Sequence, residues 1–213
     1  LAEQAPKDAA VTLLNNADTA MYRAKQRGRG RCELYSEEMR KNAKERSSLS
    51  AELERALATK ELFLMYQPVV STLTGRIAGA EALLRWNHAE RGLLTPPMFL
   101  DLAEESGAIG PIGDWSIRTA CADARAWIDA GVVDRSFVMH VNVSTRQLND
   151  AAFVERVMGS LRAAQLDAQH LTIEITEKTM LSDNPAVMRT INALKRLGVK
   201  LALDNFGTGY SSL

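Results

Sequence analysis

The N-terminal part of the chain carries a helical pattern of apolar residues. Between Leu13 and Lys25 these residues recur at three- and four-residue steps, which predicts an amphipathic helix. Gly28 follows at the position of a left-handed helix C-cap, and RCELY at residues 31–35 is predicted to form a short strand. The charged stretch beyond it has a leucine at every fourth residue from Leu49 to Leu57, so we expect a helix that connects to a second domain.

Beyond residue 60 the pattern alternates between strand and helix. The predicted strands are residues 62–70, 76–86, 137–144, 171–176 and 199–204. The predicted helices open at Thr95 before two prolines, span Asp114–Ala130 before Gly131, and run from Asn184 to Gly198. This alternation is typical of parallel βα units, but five strands are too few for a closed eight-stranded barrel of about 250 residues. We therefore expect an α/β fold, a TIM-like (β/α) barrel that is incomplete at its C-terminus.

Composition and charge exclude several classes of function. The 213 residues are 46% hydrophobic, and 26 basic side chains balance 26 acidic ones, which gives no electrostatic reason to expect binding to nucleic acid or to a membrane surface. No apolar run approaches the roughly 18 residues of a membrane span, so a cytoplasmic location is expected for this segment. Cys32 and Cys121 lack CxxC spacing and are interpreted as small apolar groups rather than metal or redox residues.

Four polar residues interrupt otherwise apolar strands. They are Glu81, Asn142, Glu174 and Asp204. An ionised carboxylate buried without a partner costs several kcal/mol, so these positions require an explanation. One explanation is that each residue pairs separately with a Lys or Arg at its strand end. The other is convergence, because the carboxyl ends of barrel strands meet at one rim, where an all-oxygen cluster would suit Mg²⁺, Mn²⁺ or Ca²⁺.

Two further polar residues lie on the first two predicted strands. Arg85 lies four residues after Glu81, hence on the same strand face, and could offer a planar fork to a phosphate. Gln67, at the end of the first strand, could hydrogen-bond a base or phosphate. Taken without the rest of the chain, these two positions favour the simpler interpretation of a salt bridge for Arg85 and a surface amide for Gln67.

The second part of the chain closely resembles the EAL family of cyclic-di-GMP phosphodiesterases. The matching segments occur in order over residues 49–213: YQPVV, GAEALLRWNHAERGLLTPPMFLDLAEESGAIGPIGDW, VNVSTRQL, LTIEITEKTML and LKRLGVKLALDNFGTGYSSL. Residues 1–36, through ADTAMYRAKQRGRGRCELY, resemble the C-terminal tail of a GGDEF diguanylate cyclase domain, and 37–60 would be the linker helix. The resemblance implies a tandem GGDEF-EAL protein cut at both ends, with a short helix-strand remnant of the GGDEF domain.

The resemblance also implies roles for individual residues. Glu81, Asn142, Glu174, Asp204 and Asn205 correspond to metal ligands of a two-metal Mg²⁺ or Mn²⁺ site, where Ca²⁺ could be an inhibitory occupant. Within this set Glu81 and Asp204 are the candidate catalytic residues. Gln67 and Arg85 resemble substrate-binding residues, and Glu177 resembles the glutamate that anchors the loop NFGTGYSSL. The implied reaction hydrolyses cyclic-di-GMP to linear pGpG, and the implied partner is a second copy of the EAL domain.

Two departures from the family pattern qualify this expectation. The family has two consecutive aspartates before FGTGYSSL, whereas here Asp204 is followed by Asn205, which removes one negative charge from the second metal site. The family's later lysine, its later catalytic glutamate and its last barrel strands would lie beyond Leu213. We therefore expect the 213-residue segment itself to be inactive. A degenerate domain that binds cyclic-di-GMP as a receptor is one alternative, and a purely structural or dimerising module is another. An upstream membrane tether is left open.

Overall fold

The computed structural model describes residues 5–26, 30–181 and 183–204. The chain divides into two compact units, Leu1–Glu52 and Leu53–Leu213. Along the described residues, no helix has both the length and the apolar character needed to cross a membrane. The candidate chemistry lies entirely in the second unit.

The first unit is built from helices. Helix α1 spans Ala5–Gln26, and helix α2 spans Glu37–Ala56, continuing past the unit boundary. Ser36 begins α2, since its Oγ accepts a hydrogen bond from the Met39 amide at 3.3 Å. The strand predicted at residues 31–35 is wrong, because residues 32–36 form neither helix nor strand. A strand needs a neighbouring strand for its backbone hydrogen bonds, and the described part of this unit contains none.

A six-stranded mixed sheet forms the centre of the second unit. Its strands are β1 (Leu62–Val70), β2 (Ile77–His88), β3 (Gly92–Leu94), β4 (Val138–Asn142), β5 (Leu171–Thr176) and β6 (Lys200–Asp204). The strand order is β1-β2-β4-β5-β6, with β3 paired to β2. The steps from β2 through β4 and β5 to β6 are parallel, whereas β1 and β2 are antiparallel. The expectation of parallel units is therefore wrong for β1, because a short turn joins it to β2 without a crossover helix.

Helices connect the parallel strands. They are α3 (Pro96–Ser106), α4 (Ile109–Asp129), α5 (Thr145–Leu148), α6 (Phe153–Ala163), α7 (Glu177–Met180) and α8 (Pro185–Arg196), with a 3₁₀ turn at Ala168–His170. Helix α4 begins five residues before the predicted Asp114. Pro111 lies in its first turn, where the missing N–H would have no partner within the helix, so this proline does not delay the helix.

The hydrophobic core lies between the sheet and the long helices. Side chains of alternate strand residues point to this core, among them Ala80, Ala82, Met139, Val141, Ile173 and Ile175. They pack with apolar residues of α4, α6 and α8, such as Ile117, Val157 and Ile191. The intervening residues of the same strands therefore point to the opposite face of the sheet, and that face carries the polar residues of interest.

Candidate metal and substrate site

Strand β4 lies between β2 and β5, the two strands that carry glutamates on the sheet face opposite the core. Glu81 on β2 is the register partner of His140, and Glu174 on β5 is the register partner of Asn142. All four residues occupy alternate positions facing away from the helices. Because β2, β4 and β5 are parallel, the two carboxylates, the amide and the imidazole share one face of the sheet.

The first contact within this group joins Asn142 to Glu81. The Asn142 Nδ2 donates a hydrogen bond to the Glu81 Oε1 at 2.7 Å. An amide that donates from its nitrogen retains its carbonyl oxygen, which is the atom that hard cations coordinate. The contact places two predicted ligands side by side.

The second contact joins His140 to Glu174. The His140 Nδ1 lies 2.9 Å from the Glu174 Oε1, and the two side chains are only 21% and 16% exposed. Neither this bond nor the Asn142–Glu81 bond involves a Lys or Arg. His140 was not singled out from the sequence, although its position two residues before Asn142 in a strand could have placed it on the same face.

Asp204 lies at the far end of the predicted set. It is the register partner of Thr176, which follows Glu174 by two residues on β5. Among residues 5–26, 30–181 and 183–204, no three His, Cys, Asp or Glu side chains come close enough together to hold a metal ion. A single centre shared by Glu81, Glu174 and Asp204 therefore stays a prediction. Asn205 lies outside the described residues.

The predicted substrate-binding residues lie on the antiparallel pair β1 and β2. Gln67 is the register partner of Glu81, so the structure places the Gln67 amide beside Glu81. Arg85 is the partner of Phe63, four residues further along β2, and its Nη1 donates to the Leu84 carbonyl oxygen at 2.8 Å. Gln67 and Arg85 thus flank Glu81 on its face of the sheet.

Glu177 begins helix α7 directly after β5 and is buried, with 7% of its surface exposed. Hydroxyl contacts hold the adjacent turn: the Oγ1 of Thr179 lies 2.7 Å from that of Thr145 and 3.0 Å from that of Thr176. These contacts connect the segment after β4 with the segment after β5. The loop that Glu177 is predicted to anchor, residues 205–213, lies outside the described residues.

The donor chemistry of this face fits a hard divalent cation. Carboxylates of Glu81 and Glu174 and the amide of Asn142 offer oxygen atoms from three adjacent strands, and the Asp204 carboxylate follows on the fourth. Oxygen ligands of this kind suit Mg²⁺ and Mn²⁺, whereas zinc and copper sites are richer in sulfur and nitrogen.

Comparison with known proteins agrees with the sequence motifs. The bifunctional diguanylate cyclase/cyclic di-GMP phosphodiesterase MucR of Pseudomonas aeruginosa is 42% identical over 201 residues, covering 94% of this chain and 29% of MucR. The cyclic di-GMP phosphodiesterase NbdA of the same organism is 36% identical, covering 94% of this chain and 25% of NbdA. The chain thus spans less than a third of the length of these two relatives.

A solved structure supports the same relationship. The PaMucR phosphodiesterase in complex with c-di-GMP superimposes with a TM-score of 0.73 at 41% identity, covering 78% of this chain and 66% of that chain. The mixed α/β fold with its parallel strands is therefore shared with that protein. The EAL domain profile matches residues 50–213, which include the whole of the second unit and most of the chain. The chain therefore belongs to the EAL domain family.

Proposed function

We propose that the protein hydrolyses cyclic-di-GMP to linear pGpG. The observation that carries this proposal is the set of oxygen-bearing side chains on one sheet face, in which Asn142 bonds Glu81 and is the register partner of Glu174. Family membership supports the substrate, since two relatives are cyclic di-GMP phosphodiesterases by name and one solved relative contains c-di-GMP. EAL phosphodiesterases are metal-dependent enzymes.

The proposed metal ligands are the predicted set: Glu81, Asn142, Glu174, Asp204 and Asn205. Together they would hold two Mg²⁺ or Mn²⁺ ions, with the second held more weakly because Asn205 replaces a carboxylate. Two divalent cations, when bound, activate a water for in-line attack and stabilise the charge that develops on the phosphate. Ca²⁺ takes the same oxygen ligands with looser geometry, so it would occupy the site as an inhibitor.

The neighbouring side chains would position the dinucleotide. Arg85 carries a guanidinium able to donate two parallel N–H hydrogen bonds to a phosphate. Gln67 lies beside Glu81 and would hydrogen-bond a phosphate or base of the dinucleotide. Glu81 and Asp204 are the proposed catalytic residues because they would hold the reacting phosphate and water through the cations. Buried Glu177 would anchor the loop at residues 205–213.

Turnover of cyclic-di-GMP by the full-length protein in Mn²⁺ tests the proposal. Chromatography should detect pGpG, and addition of EDTA should abolish it. Glu81→Gln should lower the rate by at least about a hundredfold, since it removes a metal-binding charge. Glu90→Gln is the matched control, because Glu90 is exposed in the turn after β2 and should leave the rate unchanged. Absence of pGpG from the wild type, while a reference phosphodiesterase turns over, would refute the proposal.

The presence of Asn205 favours a second candidate function, that of a receptor that binds cyclic-di-GMP without cleaving it. The amide supplies a neutral oxygen where the family has a carboxylate, so cation affinity falls while the substrate-binding side chains are retained. Calorimetry separates the two functions: tight binding without turnover supports the receptor. Turnover gained in Asn205→Asp would identify the amide as the cause, and absence of binding would exclude both functions.

The remaining proposals concern organisation. We propose that residues 1–36 are the tail of a GGDEF domain, 37–60 a linker helix and 49–213 the N-terminal part of an EAL domain whose TIM-like barrel continues beyond residue 213. We also propose that the protein is cytoplasmic, forms a homodimer through its EAL domain and contacts neither nucleic acid nor membrane through this segment. The resemblance to the GGDEF and EAL families supports the domain assignments and the dimer, and the balanced charge supports the absence of contact with nucleic acid and membrane surfaces.

A further inference from the structure

We propose that His140 is a positioning residue that holds the Glu174 carboxylate in the orientation required for cation binding. The inference rests on the proposed function, because it concerns a side chain that supports one of the proposed ligands. No sequence motif pointed to His140. It is identified by its hydrogen bond, with 2.9 Å between Nδ1 and the Glu174 Oε1.

The chemistry of the two groups fixes the direction of this bond. An ionised carboxylate has no proton and can only accept, so the proton must lie on the His140 Nδ1. The imidazole therefore acts as an N–H donor toward Glu174. A ring held by this bond and by the strand limits rotation of the carboxylate, which otherwise has several rotamers available.

Side chains of β4 contact both glutamates of this face. Asn142 is the register partner of Glu174 but donates to Glu81, and His140 is the register partner of Glu81 but contacts Glu174. The two bonds therefore run diagonally from β4, one to the acidic side chain of β2 and the other to that of β5. One strand thus orients both glutamates, and neither of the two bonds involves a Lys or Arg side chain.

Partial burial makes the His140 bond effective. The side chains of His140 and Glu174 are 21% and 16% exposed, so water competes weakly for their hydrogen-bonding atoms. Outer-shell partners of metal ligands that are held in this way typically change metal affinity by about 10- to 100-fold when they are removed.

Mn²⁺ binding by the full-length protein, measured from the EPR signal of free Mn²⁺, tests the inference. His140→Ala should weaken binding by about tenfold or more, because Glu174 loses its donor. His140→Asn should restore affinity to within about threefold of wild type, since an Asn amide nitrogen lies close to the place of Nδ1 and can donate to the same oxygen. If the Ala variant melts below the assay temperature, His140→Leu fills the volume without a donor and replaces it.

His170 provides a matched control. Its Nδ1 lies 2.7 Å from the Phe137 carbonyl oxygen, a similar bond before the start of β4 and away from the carboxylates. His170→Ala should lower the melting temperature and leave Mn²⁺ affinity unchanged. A loss of affinity in this variant as large as that in His140→Ala would overturn the inference, because general destabilisation would then explain both.

The remaining outcomes are also decisive. Wild-type affinity in His140→Ala, or a His140→Asn variant as weak as His140→Ala, would overturn the positioning role while leaving the proposed function intact. Failure of the wild type to bind Mn²⁺ would overturn both. In the metal-free protein, ¹⁵N NMR of the imidazole should find Nδ1 protonated, and an unprotonated Nδ1 would contradict the bond itself.

Discussion

Gly79 offers a sharp test of how closely β2 and β4 must approach. It precedes Glu81 by two residues, on the same face of β2, and is the register partner of Val138. A Cβ placed on Gly79 would lie 2.4 Å from the Val138 carbonyl oxygen, which is 0.6 Å closer than the 3.0 Å below which real Cβ contacts essentially never occur. The obstructing atom belongs to the backbone, so no side-chain rotation relieves the clash and the two strands must separate.

We therefore expect Gly79→Ala to destabilise the protein by about 1–3 kcal/mol, the usual cost of overpacking a well-packed interior. For a domain of this size that corresponds to a melting temperature lower by roughly 2–12 °C. Strand separation should also lengthen the Asn142–Glu81 hydrogen bond, which joins the same two strands at 2.7 Å. Mn²⁺ affinity should fall together with stability.

Gly159 is the matched control for this prediction. It lies within helix α6, and an added Cβ there would meet nothing within 4 Å. Gly159→Ala should stabilise by about 0.5–1 kcal/mol, because alanine restricts the unfolded chain and favours the helix. Thermal melts followed by circular dichroism would compare the two variants. An unchanged or raised melting temperature in Gly79→Ala would refute the close approach of β2 and β4.

Three other predictions follow from local contacts. Burial raises the pKa of the Cys121 thiol to about 12, whereas Cys32 is exposed. A thiol reagent at pH 8 should therefore titrate one cysteine in the native protein and two in denaturant. Reaction of both cysteines in the native state would contradict the burial of Cys121. The Asn184 side chain accepts from the Ala186 amide at 3.0 Å, so Asn184→Ala should cost about 1 kcal/mol in denaturant unfolding, and Asn184→Asp, which keeps the acceptor, should cost less. The Ala152 amide and Arg156 hold the pKa of Asp150 below its ordinary 3.8. The stability that the Asp150 carboxylate adds is therefore present above about pH 4 and is lost as pH falls through the native pKa. Asp150→Asn should weaken this acid dependence by at most about 0.5 kcal/mol, and an unchanged acid profile would show that the Asp150–Arg156 pair contributes nothing.

Much of the second unit could be predicted from the sequence because its strands are short and apolar and its helices have clear boundaries. The bounds of β1 and β5 agree with the predicted ones, and Asn184 caps α8 as its Asn-Pro pair indicates. The antiparallel direction of β1 was missed because hydrophobic alternation carries no information on strand direction. The signal for it was the absence of a helical segment between residues 70 and 77.

The site was predictable in its residues but not in its contacts. Glu81 and Glu174 stand out as charges within apolar strands. His140 does not, since a single histidine in a strand is often a core residue whose hydrogen bonds are satisfied there. The bond from Asn142 to Glu81 spans 61 residues of sequence and depends on the register of β2 and β4, which no local pattern specifies. The strand expected at residues 31–35 failed for a related reason, because a strand exists only where a partner is present.

The connection from β1 to β2 and the connection from β2 to β4 differ in the conformational entropy that is lost when they close. Six residues separate β1 from β2, whereas 49 residues separate β2 from β4. By the flexible-loop relation, closing the longer connection costs about 2 kcal/mol more than closing the shorter one. Gln67 thus lies beside Glu81 through a local turn, while Asn142 reaches the Glu81 carboxylate only when the segment carrying α3 and α4 is ordered. The integrity of the candidate site is therefore tied to the order of a long intervening segment that supplies none of its proposed ligands.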